Sequence, residues 1–142
     1  MSGTFYAQTQ PRIAQMLAER AAAGVRIRLC FGNPDGASVM LRDREEGLGN
    51  AMASKVRASL SYYRDLPDLP GCEVRLHDTT LYNSLFRYDH EIVVNPHVYG
   101  QPASLNPVIR LRQLQGGVLF GHYLRSFETV WDTATTWDGK VL

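Results

Sequence analysis

The sequence predicts an α/β fold, a mixed sheet flanked by helices that lacks its first strand. Three observations carry this. The segments 25–31, 72–77, 84–94 and 108–113 alternate apolar with polar residues, the period of half-buried strands. The segments 11–23, 41–64 and 120–134 instead repeat their apolar residues at helical spacing. The resulting order of helix, strand, helix, strand, strand, strand, helix places a β-α-β crossover early in the chain.

The first helix is predicted from Pro11 to Ala23. Thr9 or Gln10 stands at the cap, Pro11 suits the first turn, and Gly24 ends it. Ile13, Met16, Leu17 and Ala21 line one face. In "VRIRLCFG", Val25, Ile27, Leu29 and Phe31 alternate with Arg26, Arg28 and Cys30, and "GNPDG" turns the chain. A second helix is predicted from Leu41 to Arg64 on the recurrence of Leu48, Met52, Val56, Leu60 and Tyr63. Its "REEG" at 44–47 reads as a solvated helix start, where carboxylates suit the macrodipole. "CEVRLHD" is the next strand, and "SLFRYD" with "EIVVN" reads as one bulged strand or a tight hairpin. "VIRLRQL" follows a loop. Phe120, Tyr123, Leu124, Phe127, Trp131 and Ala134 then define the last helix, with Phe127 and Trp131 as core anchors. The chain is read as one domain over residues 1–142, with 1–8 and 136–142 as loose ends. "SGTFYA" is read as the stub of a lost strand.

A chain of 142 residues with 44% hydrophobic and 20% charged residues can bury a core without staples. A net charge of +1 supplies no field that would draw the chain to nucleic acid or membrane. No apolar run approaches the roughly 20 residues of a spanning helix, and the N-terminus has no secretory pattern. Cys30 and Cys72 lie in strand-like runs and read as buried free thiols of a reducing, cytoplasmic protein. No metal-ligand spacing, nucleophile elbow or phosphate-binding loop occurs, so neither metal nor cofactor is expected. Basic residues recur at alternate positions of three strands, in the pairs Arg26/Arg28, Arg75/His77 and Arg110/Arg112, with Arg87 beside them. Either they reach out to water from a one-sided sheet, or, gathered on one sheet face, they bind a small anion.

The blocks "GVRIRLCFGNP", "REEGLG", "GCEVRLHDTTLYNSLFRYDHEIVVNPHVYG", "PVIRLRQLQGG" and "YLRSFETVW" occur in an order that resembles one bacterial family. This is the phospholipase D-like domain found C-terminal to Cro-type helix-turn-helix modules in transcriptional regulators. The resemblance covers Gly24 to Ala134. Active members of that superfamily carry H-x-K-x-x-x-x-D, in which histidine attacks phosphorus and lysine holds phosphate oxygens. Counting back from Asp89 puts Tyr82 at the histidine place and Ser84 at the lysine place, so only the aspartate matches. The two lysines, Lys55 and Lys140, lie elsewhere. The resemblance therefore implies a non-catalytic, ligand-sensing and dimerising domain of a bacterial regulator. The alternative is a phosphodiesterase or nuclease whose altered site uses His77 or His97. No catalytic residue is assigned. The candidate ligand-binding residues are Arg75, His77, Tyr82, Ser84, Arg87, Asp89, Asn95, His97 and Arg110, with Asp89 expected to orient an arginine or a hydroxyl. The expected partners are a small anionic ligand and a second copy of the chain, with DNA reached only through a separate helix-turn-helix module and no membrane.

Overall fold

A computed structural model of the chain describes residues 4–140. The elements run α1 (Thr4–Thr9), α2 (Ile13–Ala22), β1 (Ile27–Gly32), α3 (Ala37–Glu45), α4 (Ala51–Tyr63), β2 (Cys72–His77), β3 (Asn83–Tyr88), β4 (Glu91–Pro96), β5 (Ile109–Arg112), α5 (Leu119–Thr133) and β6 (Thr135–Thr136). The mixed α/β class holds. The single sheet does not: the strands form two sheets of three, β1-β2-β6 and β3-β4-β5.

The division follows from the connections. β1 and β2 pair in parallel, Ile27 opposite Cys72 through Gly32 opposite His77, and α3 and α4 make the crossover between them. The other edge of β2 is taken by β6, with Leu76 opposite Thr135 and Arg75 opposite Thr136, so it cannot accept β3. From Asn83 onward the links are hairpin-like, and an antiparallel meander results. "SLFRYD" and "EIVVN" form the tight hairpin, turning at Asp89 with φ of 50°.

Each sheet has its own core. Ile27, Phe31, Cys72 and Val74 of the first sheet pack against α2 and α4 through Ile13, Val56, Leu60 and Tyr63. In the second, Ile92 and Val94 meet Phe120, Tyr123 and Leu124 of α5. The same helix reaches back to the first sheet, where Arg75 lies over Trp131. Trp131 is buried, and Phe127 is half-buried and stacks on it.

Several boundaries differ from expectation. The long second helix is two, because Gly47, Gly49 and Asn50 all take positive φ between α3 and α4. The "REEG" segment is thus the end of α3 rather than a solvated start, and Glu46 is buried in an ion pair with Arg42. Arg12, not Thr9 or Gln10, occupies the N-cap of α2. Within the expected loose ends, Thr4–Thr9 is helical rather than a strand stub. Trp137 is buried, its main-chain N–H donates to the Val74 carbonyl and its indole N–H to the Lys140 carbonyl. Residues 1–3 and 141–142 of those ends lie outside the described residues.

Candidate functional site

A cleft of about 790 Å³ opens at the C-terminal ends of β1 and β2, within the roughly 300–1,000 Å³ of small-molecule sites. Its walls are α3 and α4 on one side and, on the other, the face of β3 and β4 that carries Ser84, Phe86, Val93 and Asn95. Gly32 lets α3 approach: a Cβ there would stand 2.8 Å from Val39 Cγ2. Two carboxylates fix the helices. Asp78 accepts the N–H groups of Ala37 (3.2 Å) and Ser38 (2.8 Å) at the start of α3. The Ser38 N–H bond is the main cause that lowers the Asp78 pKa. Asp43, buried, accepts the N–H groups of Asn50 (2.5 Å) and Met52 (2.7 Å) and so holds the start of α4.

His77 ends β2 at the floor of the cleft, buried. Its Nδ1 accepts the Thr79 N–H at 3.3 Å, which leaves the proton on Nε2. Burial pushes its pKa down to about 3, against a smaller upward pull from the Thr79 contact and Asp78. An unfolded imidazole titrates near pH 6.5. Between the two values the unfolded chain binds a proton that the folded chain refuses. The full stability is therefore present above about pH 6.5 and falls with acid, by up to about 1.4 kcal/mol per pH unit. Urea melts between about pH 6 and 5, above the carboxylate range, are expected to show this slope in the wild type and a shallower one in His77→Gln. Parallel slopes would mean that His77 protonates freely in the fold.

His97 is oriented from both sides. Its Nδ1–H donates to the Leu81 carbonyl at 3.0 Å, which makes Nε2 the acceptor for the Ser84 hydroxyl at 3.3 Å. Burial, and then the charge of Arg42, lower its pKa, so the ring is neutral at pH 7. The hairpin ladder sets the pair, since Ser84 faces Asn95 and the His97 N–H donates to the Tyr82 carbonyl. Asn95 is buried and clamps the following loop, its Nδ2 reaching the carbonyls of Ala103 (3.2 Å), Asn106 (3.4 Å) and Pro107 (3.1 Å).

That loop carries Asn106 to the cleft. Asn106 is 9% exposed, and both polar atoms of its side chain are buried with no hydrogen-bond partner among the described residues. Arg42, which also lines the cleft, pairs with Glu46 through Nε while its Nη2 is buried without a partner there. Tyr82 and Tyr99 line it too, 78% and 80% exposed.

Of the residues expected at the site, the fold brings His77, Tyr82, Ser84, Asn95 and His97 together at the cleft. Arg75, Arg87, Asp89 and Arg110 lie elsewhere. Arg75 sits 4.4 Å from the centroid of Trp131 and donates to its carbonyl. Arg28, beneath the same helix, is held by Glu128 at 2.6 and 2.8 Å. Arg110 forks onto Glu91, which Arg112 also approaches. The expected cationic face is therefore resolved into separate ion pairs on two sheets. Asp89 caps the far end of the hairpin, five strand steps or about 17 Å from the His97 end. The contact it makes with Arg87 is through its main-chain carbonyl, at 3.2 Å. Sequence reasoning missed Arg42, Glu46, Tyr99 and Asn106. The i, i+4 spacing of Arg42 and Glu46 was a usable signal for one pair, whereas Asn106 stands in a loop with no periodicity to place it. Among the described residues no group of three or more His, Cys, Asp or Glu is placed to hold a metal ion, and no helix is long and apolar enough to cross a membrane. Comparisons with protein families, with curated proteins and with solved structures find no match to this chain.

Proposed function

We propose that this chain is a small-molecule-binding domain, of phospholipase D-like type with its catalytic pair lost, that serves a bacterial regulator as its ligand-sensing and dimerising part. One observation carries the binding half: a cleft of about 790 Å³, in the size range of small-molecule sites, lined by apolar side chains together with Ser84, Asn95 and His97. Asn106 and Arg42, also in its lining, keep buried polar atoms that no described residue pairs, at a cost of about 1–3 kcal/mol each. The regulatory half rests on the sequence resemblance. A second copy has an apolar surface to use, since Leu105, Val108, Ile109, Leu114, Val118 and Leu119 are all exposed.

A thermal-shift screen of nucleotides, sugar phosphates, nucleobases and aromatic amides tests the reading. A ligand at 100 times its Kd is expected to add about 2.7 kcal/mol. Ser104 is exposed at the cleft, so Ser104→Trp should abolish the shift, and light scattering of the same sample should give a dimer. No shift from any compound, or a shift that survives Ser104→Trp, would overturn the binding half, and a monomer the dimer half.

The Ser84–His97 contact favours a second reading, in which the altered site is hydrolytic. A neutral imidazole accepting a buried hydroxyl is the start of a nucleophile–base pair. Turnover of bis-nitrophenyl phosphate or an ester by the wild type, lost in His97→Ala and Ser84→Ala, would establish this reading instead.

A further inference from the structure

The charged side chains that line the cleft are Arg42, Glu45, Glu46 and Lys55, and they divide into one pair and two single charges. Arg42 and Glu46 pair with each other across one turn of α3. Glu45 on α3 and Lys55 on α4 have no ion-pair or side-chain hydrogen-bond partner among the described residues, and they do not pair with one another. Lys55 is exposed and Glu45 half-buried. His77 and His97, at the same cleft, are neutral at pH 7. The cleft therefore presents one unmatched positive charge and one unmatched negative charge. On an open surface water and salt would screen both. In a concave site with apolar walls their fields are focused on whatever enters.

Helical spacing sets each of these charges beside apolar surface. Met52 and Lys55 are three residues apart on α4, and Leu41 and Glu45 four apart on α3, so each charge shares a helix face with an apolar neighbour. All four line the cleft, and Phe86 and Val93 line it from the facing sheet. Tyr82 and Tyr99 add two exposed rings. A ligand with a single charge satisfies only half of this lining. An anion pairs with Lys55 and brings a like charge to Glu45, and a cation does the reverse. A molecule that carries both charges meets both. We infer that the cleft binds a zwitterion with an apolar body, of which a hydrophobic α-amino acid is the simplest, its carboxylate on Lys55 and its ammonium on Glu45. This rests on the binding reading above and names the class of ligand for that same site.

Isothermal titration calorimetry of the full chain tests it with four probes that share one aromatic body. Phenylalanine carries both charges, 3-phenylpropionate only the negative one and phenethylamine only the positive one. Alanyl-phenylalanine carries both, one peptide unit farther apart, and so tells an amino acid from a short peptide. Phenylalanine or the dipeptide is expected to bind at least about tenfold more tightly than either singly charged probe. Lys55→Met is expected to erase the advantage over phenethylamine and keep that over 3-phenylpropionate. Glu45→Gln is expected to do the opposite. Neither residue belongs to the buried core, and circular dichroism checks that both variants fold. A singly charged probe that binds as tightly as the zwitterions, or variants that keep both advantages, overturns the inference. If all four probes fail while another compound binds and is excluded by Ser104→Trp, the charge assignment falls and the binding reading stands. If no compound of either set binds, both fall.

Discussion

Trp131→Ala is expected to destabilise the protein by about 3–5 kcal/mol, the cost of emptying a large aromatic site in a core. Trp131 is 4% exposed. Its ring stacks on Phe127 with centroids 5.8 Å apart and carries two guanidinium groups, Arg75 at 4.4 Å and Arg28 at 5.1 Å. Truncation would leave a cavity and also strip both arginines of the aromatic surface that they cover, each such contact being worth about 0.5–2 kcal/mol. A domain of this kind has only about 5–15 kcal/mol to lose. Urea unfolding followed by far-ultraviolet circular dichroism measures the effect, and Trp131→Phe should recover a substantial part of it. A change below about 1 kcal/mol, the typical cost of an arbitrary substitution, would mean that α5 does not pack on the first sheet through this residue.

Trp137→Ala is expected to cost a similar amount, about 3–5 kcal/mol, although it lies beyond the last helix, with five residues of the sequence after it. Trp137 is 5% exposed and belongs to the core of the first sheet, with Tyr63, Leu66 and Val74. Its main-chain N–H donates to Val74 at 2.9 Å and its indole N–H to the Lys140 carbonyl at 2.8 Å. Gly139 allows the return of the chain, since a Cβ there would stand 2.2 Å from the Arg64 carbonyl oxygen. A chain ending at Thr133 should therefore melt as poorly as the point variant or worse. If removal of 134–142 left the urea midpoint unchanged, the tail would be dispensable.

The contrast between these two tryptophans shows what the sequence made legible. Trp131 stands in a fifteen-residue amphipathic run whose period identifies its face, and its burial follows from that period. Trp137 follows a two-residue strand too short to alternate, among Thr, Asp and Gly, so nothing local marks it as buried. The five longer strands were visible for the same reason as α5, whereas their partition into two sheets was not. That partition depends on β6 occupying the edge of β2, a pairing between residues about sixty positions apart. The site divides in the same way. Ser84, Asn95 and His97 are neighbours through one hairpin register and could be grouped from sequence. The arginines were grouped because they alternate on their strands, and alternation says which face a residue takes, not which anion already holds it. Glu128 holds Arg28, Glu91 holds Arg110 and Arg112, and Glu73 approaches Arg75.

The two-sided packing of α5 also orders events in time. Its first half completes the β3-β4-β5 core with residues that immediately precede it, so the segment from Asn83 to Leu124 has only short loops to close. Its second half joins Glu128 to Arg28, a hundred residues earlier, and β6 and Trp137 finish a sheet that began at Ile27. During synthesis the N-terminal half therefore emerges first yet closes last, with β2 offering an unpaired edge until Thr135 and Thr136 have emerged. For this chain the ribosome's order and the folding order run in opposite directions. The interval between them is when it is most exposed to aggregation.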